Sequence, residues 1–187
     1  MDKAQLLYLQ NRVAYARDQA AYKQLYLYFH PSVYKLAAII IPQPSLVEEV
    51  VSDVMIRIWT MENRLAYVEH LKSYLLVAAR NTALTYLKKY NENKHLNIEA
   101  SGEEPAISDT PDQHVMATEL SQVIESAVTA LPPKSQAVFR LIKEEGLSYK
   151  EACNILDISQ KTLEAHMCSA LKKLRRVLDG YLLKKNF

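Results

Sequence analysis

No glycine occurs between Met1 and Ser101, and the whole chain of 187 residues has three: Gly102, Gly146 and Gly180. Glycine is the residue that enters left-handed turns and lets a backbone come close to a phosphate. A glycine-rich phosphate loop is therefore excluded from the first hundred residues. Long β-branched runs are also missing. Together these features predict a chain that is nearly all helix. The length suits one or two domains, each with a core of its own. No apolar run approaches the roughly 18–20 residues of a membrane span, so membrane insertion is not expected. Met1-Asp2-Lys3-Ala4-Gln5 leads into no apolar signal region. Two cysteines make no disulfide framework, and a reducing cytoplasm is the expected setting.

The net charge of +2 becomes informative once it is divided along the chain. Residues 1–90 have eleven basic and seven acidic side chains (+4). Residues 91–118 have one basic and six acidic (−5), and residues 119–187 eleven and eight (+3). The acidic stretch also contains Gly102, Pro105 and Pro111 and few apolar residues. Such a segment cannot bury enough surface to offset its ordering entropy. It reads as a linker between two helical domains, 1–90 and 119–187.

In the first domain, residues 5–29 have helical spacing and are expected to stop before His30-Pro31. A second helix is expected from Pro31 to Ile41, ended by Pro42 and Pro44. Ser45 with Glu48 three residues on reads as a capping box. Beyond it Val47, Val50, Val51, Val54, Met55 and Ile58 form an apolar face at i, i+3, i+4 spacing. Glu48, Glu49, Ser52 and Asp53 lie opposite. That face is either simply solvated or docks on a basic partner. The next helix, about Glu69 to Tyr90, has Leu75, Leu76, Ala79, Ala83, Tyr86, Leu87 and Tyr90 on its inner side. Its outer side has Tyr74, Ala78, Asn81, Thr85 and Lys88, with Arg80 and Lys89 flanking. Small, polar and basic groups with one aromatic suit a nucleic-acid backbone and an unpaired base. Many ordinary surface helices look the same.

The second domain opens with a helix from Glu119 to Ala130. Pro132-Pro133 starts another, since proline loses no bond at the first helical position. Its stripe is Ala137, Val138, Leu141 and Ile142, and Gly146 is placed to cap it in the left-handed conformation. Ser148 and Glu151 form a second capping box, Ala152, Ile155 and Leu156 face inward, and a turn follows at Asp157-Ile158. Ser159 then caps a long helix expected to bury Leu163, Met167, Ala170, Leu171, Leu174 and Leu178. A short helix, a tight turn and a longer helix make the pattern of a helix-turn-helix. Opposite the apolar stripe of the long helix lie Lys161, Ala165, Cys168, Ser169, Lys172 and Arg176. Glu164 and Arg175 are on one flank, Thr162, His166 and Lys173 on the other. Small groups come first, where base edges would be met, and positive charge comes last, where phosphates would be met. An ordinary helical hairpin with a basic tail is the plain alternative.

Signals for catalysis are lacking. The five histidines are scattered without metal-ligand spacing, and no nucleophile elbow or triad order occurs. No enzyme activity, cofactor or metal site is expected. Cys153 reads as a small buried apolar residue.

These motifs resemble a family. Residues 45–59, Ser-Leu-Val-Glu-Glu-Val-Val-Ser-Asp-Val-Met-Ile-Arg-Ile-Trp, resemble region 2.2 of bacterial sigma-70 factors of the extracytoplasmic-function group. Residues 71–89, with Tyr74-Leu75, Ala78-Ala79-Arg80-Asn81 and Leu87-Lys88-Lys89, are similar to regions 2.3 and 2.4. Residues 131–176, from Leu131-Pro132 through Gly146-Leu147-Ser148-Tyr149-Lys150-Glu151-Ala152 to Leu174-Arg175, resemble region 4. The overall style is similar to the branch expanded in Bacteroidetes. The resemblance implies an all-helical, two-domain factor that binds core RNA polymerase and directs it to promoters. Glu48, Glu49, Ser52 and Asp53 would dock on the coiled coil of the β′ clamp. Tyr74, Arg80, Asn81, Thr85, Lys88 and Lys89 would meet the −10 element, and the loop from about Met61 to His70 would hold a base extruded from the stack. The second domain would touch the β flap and read the −35 element through Lys161, Thr162, Glu164, Ala165, Cys168, Ser169, Lys172 and Arg176. The family also implies an inhibitory anti-sigma partner. The family often has glutamine at Ser52, phenylalanine at Met55, aspartate at Thr85, arginine at Lys88 and a basic or small residue at Glu164. The promoter sequence therefore does not carry over. A linker of about 28 residues spans at most roughly 90 Å when extended, enough to bridge elements more than one duplex turn, ~34 Å, apart.

Two other functions fit parts of the chain. A helix-turn-helix regulator outside the polymerase would share the C-terminal helices, but it needs a sensor or dimer domain that residues 45–89 do not resemble. A polymerase-binding adaptor without promoter contacts would not need the basic face at 80–89.

Overall fold

The computed structural model describes residues 1–97 and 119–185. Every regular element among them is helical, and the chain divides into two compact units, Met1–Ser108 and Asp109–Phe187. The acidic linker expected at 91–118 lies outside the described residues from position 98 on. Its first part does not. The helix that leads into it continues past Tyr90 to Asn97, since no glycine or proline stops it before Gly102.

The first unit contains α1 (Lys3–Ala16), α2 (Gln19–Ile40), α3 (Pro44–Thr60), a short 3-10 turn (Glu62–Tyr67) and α4 (Leu71–Asn97). Leu25, Phe29, Val33 and Leu36 of α2 are buried, as are Val50, Val54 and Ile58 of α3 and Leu75, Leu76, Ala79 and Ala83 of α4. Leu9, Val13 and Ala14 of α1 and Leu65 of the 3-10 turn are buried with them.

The first helix boundary differs from the expected one. The chain breaks not at Pro31 but at Arg17, which is left-handed at φ 51°, and Asp18, which caps α2 by accepting from the Ala20 and Ala21 amides. Pro31 lies inside α2. A proline in a helix interior costs about 3 kcal/mol. Phe29 and Val33, on either side of it, are fully buried, and burying such side chains contributes about 1.5–3 kcal/mol each. Leu27, whose carbonyl loses its partner, and Pro31 are both exposed, so water reaches the gap. Continuing the helix wins.

The capping box expected at Ser45 and Glu48 does not form. Gln43 is the N-cap, without a side-chain cap bond, and Pro44 takes the first helical position, leaving Ser45 inside the helix. Proline's fixed φ starts the helix one residue early. The apolar face of α3 is as expected, with all six of its residues buried.

The second unit contains α5 (Glu119–Thr129), α6 (Pro133–Phe139), a π turn (Arg140–Glu144), α7 (Tyr149–Leu156) and α8 (Gln160–Lys185). Ala127, Val128 and Leu131 form a core cluster with Ala170 and Leu174 of α8, and Phe139 packs against it. Gly146 has φ +68°, so any side chain there would be strained. The Ser148–Glu151 capping box is complete: the Ser148 amide donates to Glu151 and the Glu151 amide to the Ser148 hydroxyl. Ala152 and Ile155 are buried and Leu156 is half-buried. Asp157 makes the turn in the left-handed region at φ 53°. Ser159 caps α8 through the Thr162 amide.

In α8 the buried stripe is Leu163, Met167, Ala170 and Leu174. Leu178 is half-buried, and Leu171, expected inside, is exposed. The helices packed against α8 cover a stripe of period 3.6, and Leu171 sits about 100° around from Ala170.

Candidate nucleic-acid interface

Three helix faces bear the residues singled out from the sequence. On α3, Glu48, Glu49, Ser52 and Asp53 are all exposed and share one side of the helix. One of them is anchored by a hydrogen bond, and another has a histidine nearby. Asp53 accepts a hydrogen bond of 2.9 Å from the Tyr86 hydroxyl of α4, and Glu48 lies 3.7 Å from His30 Nε2 of α2. The hydrogen bond to Asp53 is the main cause that holds the Tyr86 phenol above its ordinary range. Tyr86 therefore reaches the surface at its polar end instead of serving as plain core. Ile56, also on α3, exposes about half of its surface.

On α4, Asn81, Thr85, Lys88 and Lys89 are exposed, while Tyr74 and Arg80 are half-buried. Ala78, expected on the outer face, is buried, because the packing of α4 against α2 and α3 covers a wider arc than one stripe. The Thr85 hydroxyl donates to the Asn81 carbonyl at 2.9 Å, and Arg80 Nη1 donates to Asn81 Oδ1 at 3.2 Å. Lys88 and Glu92 form an exposed i, i+4 pair at 3.8 Å. The face offers two lysines beside short polar groups, a suitable surface for phosphates.

On α8, Lys161, Thr162, Glu164, Ala165, Cys168, Ser169, Lys172 and Arg176 are all exposed. Cys168 thus faces solvent, and Cys153 is half-buried. Glu164 accepts from the Gln160 side chain at 2.9 Å, and the Thr162 hydroxyl sits 2.9 Å from that of Ser159. The first turn of α8 is braced by its own short side chains. Alanine, cysteine and serine project from the next turns, and lysine and arginine follow.

Several supports were not read from the sequence. Arg140, 8% exposed, donates to Glu125 of α5 and, at 2.7 Å, to Glu144. Burial works against its charge, but the two carboxylates outweigh it and hold the guanidinium above its ordinary value. The signal was an arginine beside Leu141 in an otherwise apolar stripe. Ser135, buried on α6, sits 3.3 Å from His166 Nδ1 on α8. In the first unit Gln10 and Arg17 reach across to residues far along the chain.

Known families match this layout. The family model for sigma-70 region 2 matches residues 25–92, and that for sigma-70 region 4 matches residues 121–174. No curated protein matches the chain. Among solved structures, the sigma factor RpoE in complex with the anti-sigma factor NepR from Bartonella quintana is 22% identical with a TM-score of 0.62. That alignment covers 84% of this chain and 96% of the other. CnrH in complex with the cytosolic domain of CnrY is 20% identical with a TM-score of 0.57, covering 94% and 98%. At these identities the likeness is one of fold.

Proposed function

The chain belongs to the sigma-70 family, and on that premise we propose that it is an extracytoplasmic-function sigma factor that recruits core RNA polymerase to promoters. One observation carries this reading: region 2 and region 4 occur in that order in a single chain and cover about two thirds of it. A regulator built on a helix-turn-helix alone has no use for region 2. The factor works by binding, without a chemical step of its own.

Each helix face then has a role. Glu48, Glu49, Ser52 and Asp53 present carboxylates and a hydroxyl to the β′ clamp coiled coil. Tyr74, Arg80, Asn81, Thr85, Lys88 and Lys89 meet the −10 element, and the loop of residues 61–70 holds an extruded base. The pocket must return the few kcal/mol that unstacking costs. Lys161, Thr162, Glu164, Ala165, Cys168, Ser169, Lys172 and Arg176 meet the −35 duplex, with the second unit against the β flap. The exposure of all eight supports this placement. The basic excess is small for a DNA binder, which suits a subunit whose hold on DNA is shared with the polymerase. An anti-sigma factor is the regulatory partner, by analogy with the RpoE structure, which holds the anti-sigma factor NepR. The site of action in this reading is the cytoplasm. No helix among the described residues is long and apolar enough to cross a membrane.

Purified chain added to core polymerase should give promoter-specific run-off transcripts. Failure to obtain a transcript from any genomic template would overturn the proposal.

A further inference from the structure

The region 2 match begins at residue 25 and leaves out α1. Yet α1 packs directly against the 3-10 turn that joins α3 to α4. Gln10 of α1 and Arg17, the residue that caps its end, grip the ends of that connection. Gln10, 3% exposed, donates from Nε2 to the carbonyls of Leu65 at 2.7 Å and Val68 at 2.8 Å. Arg17, two helical turns on, donates from Nη1 to the carbonyl of Trp59. Its guanidinium lies 4.2 Å from the centre of the Trp59 ring, and Nη1 is 3.8 Å from Glu62.

The backbone points to the same place. Arg17 and Glu62 are both left-handed, at φ 51° and 52°. A non-glycine residue holds that conformation only where its surroundings impose it. Here the two strained residues are ion-paired to each other. Leu65, between the two grips, is fully buried and fixes the middle of the turn. An unsupported connection would sample many shapes. This one is pinned at its start, middle and end.

We infer that α1 is a splint for the loop of residues 61–70, and that Gln10 and Arg17 are positioning residues for capture of the melted base. Neither touches DNA in this assignment. They act by holding the carbonyls of Trp59, Leu65 and Val68, and so the shape of the loop between them. Tyr67, 79% exposed, and Arg64 on the same turn are then presented in a set geometry. The inference rests on the assignment of this loop to the extruded base.

The test uses the full chain in holoenzyme. A single-stranded −10 oligonucleotide is first selected from a random pool by the wild-type holoenzyme, and each base is then replaced in turn by an abasic site. Wild type should lose about tenfold in affinity at one position, the scale of one lost base contact. Gln10→Met keeps the side-chain volume and removes both donors. It should shrink that abasic penalty to about twofold or less, leaving core polymerase binding and the affinity for −35 duplex unchanged. A merely structural role would lower the melting temperature but leave the abasic penalty intact. Arg17→Ala, at an exposed side chain, should shrink the penalty in the same way, and it decides the matter if Gln10→Met fails to fold. A full penalty in both variants overturns the splint while the loop assignment stands. No penalty at any position in wild type overturns the loop assignment, and the splint with it.

Discussion

The two units are held together over different distances along the chain. In the first, the polar links that fix geometry join residues far apart: Gln10 to Leu65 and Val68, Arg17 to Trp59, Asp53 to Tyr86. In the second, most are within a turn or two: Ser148 with Glu151, Ser159 with Thr162, Gln160 with Glu164. Arg140 reaches farther, from the π turn to α5, and Ser135 of α6 meets His166 of α8. The contrast fits the two tasks proposed for these units. A duplex-reading helix needs its own first turn set, and local caps do that. A surface that melts DNA needs a loop held in one shape, and here Gln10 and Arg17, far away in sequence, help to brace it.

The largest expected effect tests whether the second unit also depends on a longer-range link. Arg140→Met removes a buried cation and leaves Glu125 and Glu144 facing each other. Stability of the second unit should fall by on the order of 3 kcal/mol, read as a lower denaturant midpoint for that unit. A loss of a few tenths would mean that local caps suffice. Next, Lys88→Ala with Lys89→Ala tests the first unit's outer face. Open-complex formation should weaken, and the slope of log affinity against log salt should drop by about one for each lysine. An unchanged slope would remove α4 from the DNA path. Smaller again, Ser148→Ala should cost about 1 kcal/mol. Ser45→Ala should stay within about 0.5 kcal/mol, because the box suggested by its sequence is not made.

That last pair shows what was legible in the sequence. Ser148-x-x-Glu151 and Ser45-x-x-Glu48 are the same local pattern, and one of them is real. What separates them is Pro44, which takes the first helical position and displaces Ser45 inward. The second unit was readable because its starts and stops are set by residues a few positions apart, Pro133, Gly146, Ser148 and Ser159 among them. Six of the eight outward residues of α8 followed from one stripe, and Thr162 and Glu164, on its flanks, from the family resemblance. The first unit was readable as far as its apolar faces went. Its boundaries were not. Pro31 looks like a stop and is not one, because burial of Phe29 and Val33 outweighs a solvent-facing gap in the ladder. Gln10 looks like an ordinary polar residue of a surface helix. Its partners are more than fifty positions away, and no local rule reports them.

Asp18, like Asp2 at the start of α1, is a local cap in a unit whose long links act over distance, and its effect should be small and the most dependent on pH. Hydrogen bonding from Arg12, at 2.7 and 2.9 Å, is the main cause that holds its carboxyl below its ordinary value of 3.8. A group whose pKa is depressed on folding stabilises the fold above its unfolded pKa, and that contribution is lost as pH falls through the folded value. Arg12 stays charged throughout, its own pKa raised chiefly by the same hydrogen bond. Asp18→Asn keeps an acceptor for the Ala20 and Ala21 amides but gives up the charge. The variant should therefore be slightly less stable than wild type at neutral pH, and the gap should close as pH falls below about 4. Denaturant midpoints measured across that range check it. A gap that stays constant into acid would mean that the break between α1 and α2 is fixed by packing, as the rest of the first unit is, and not by the carboxylate.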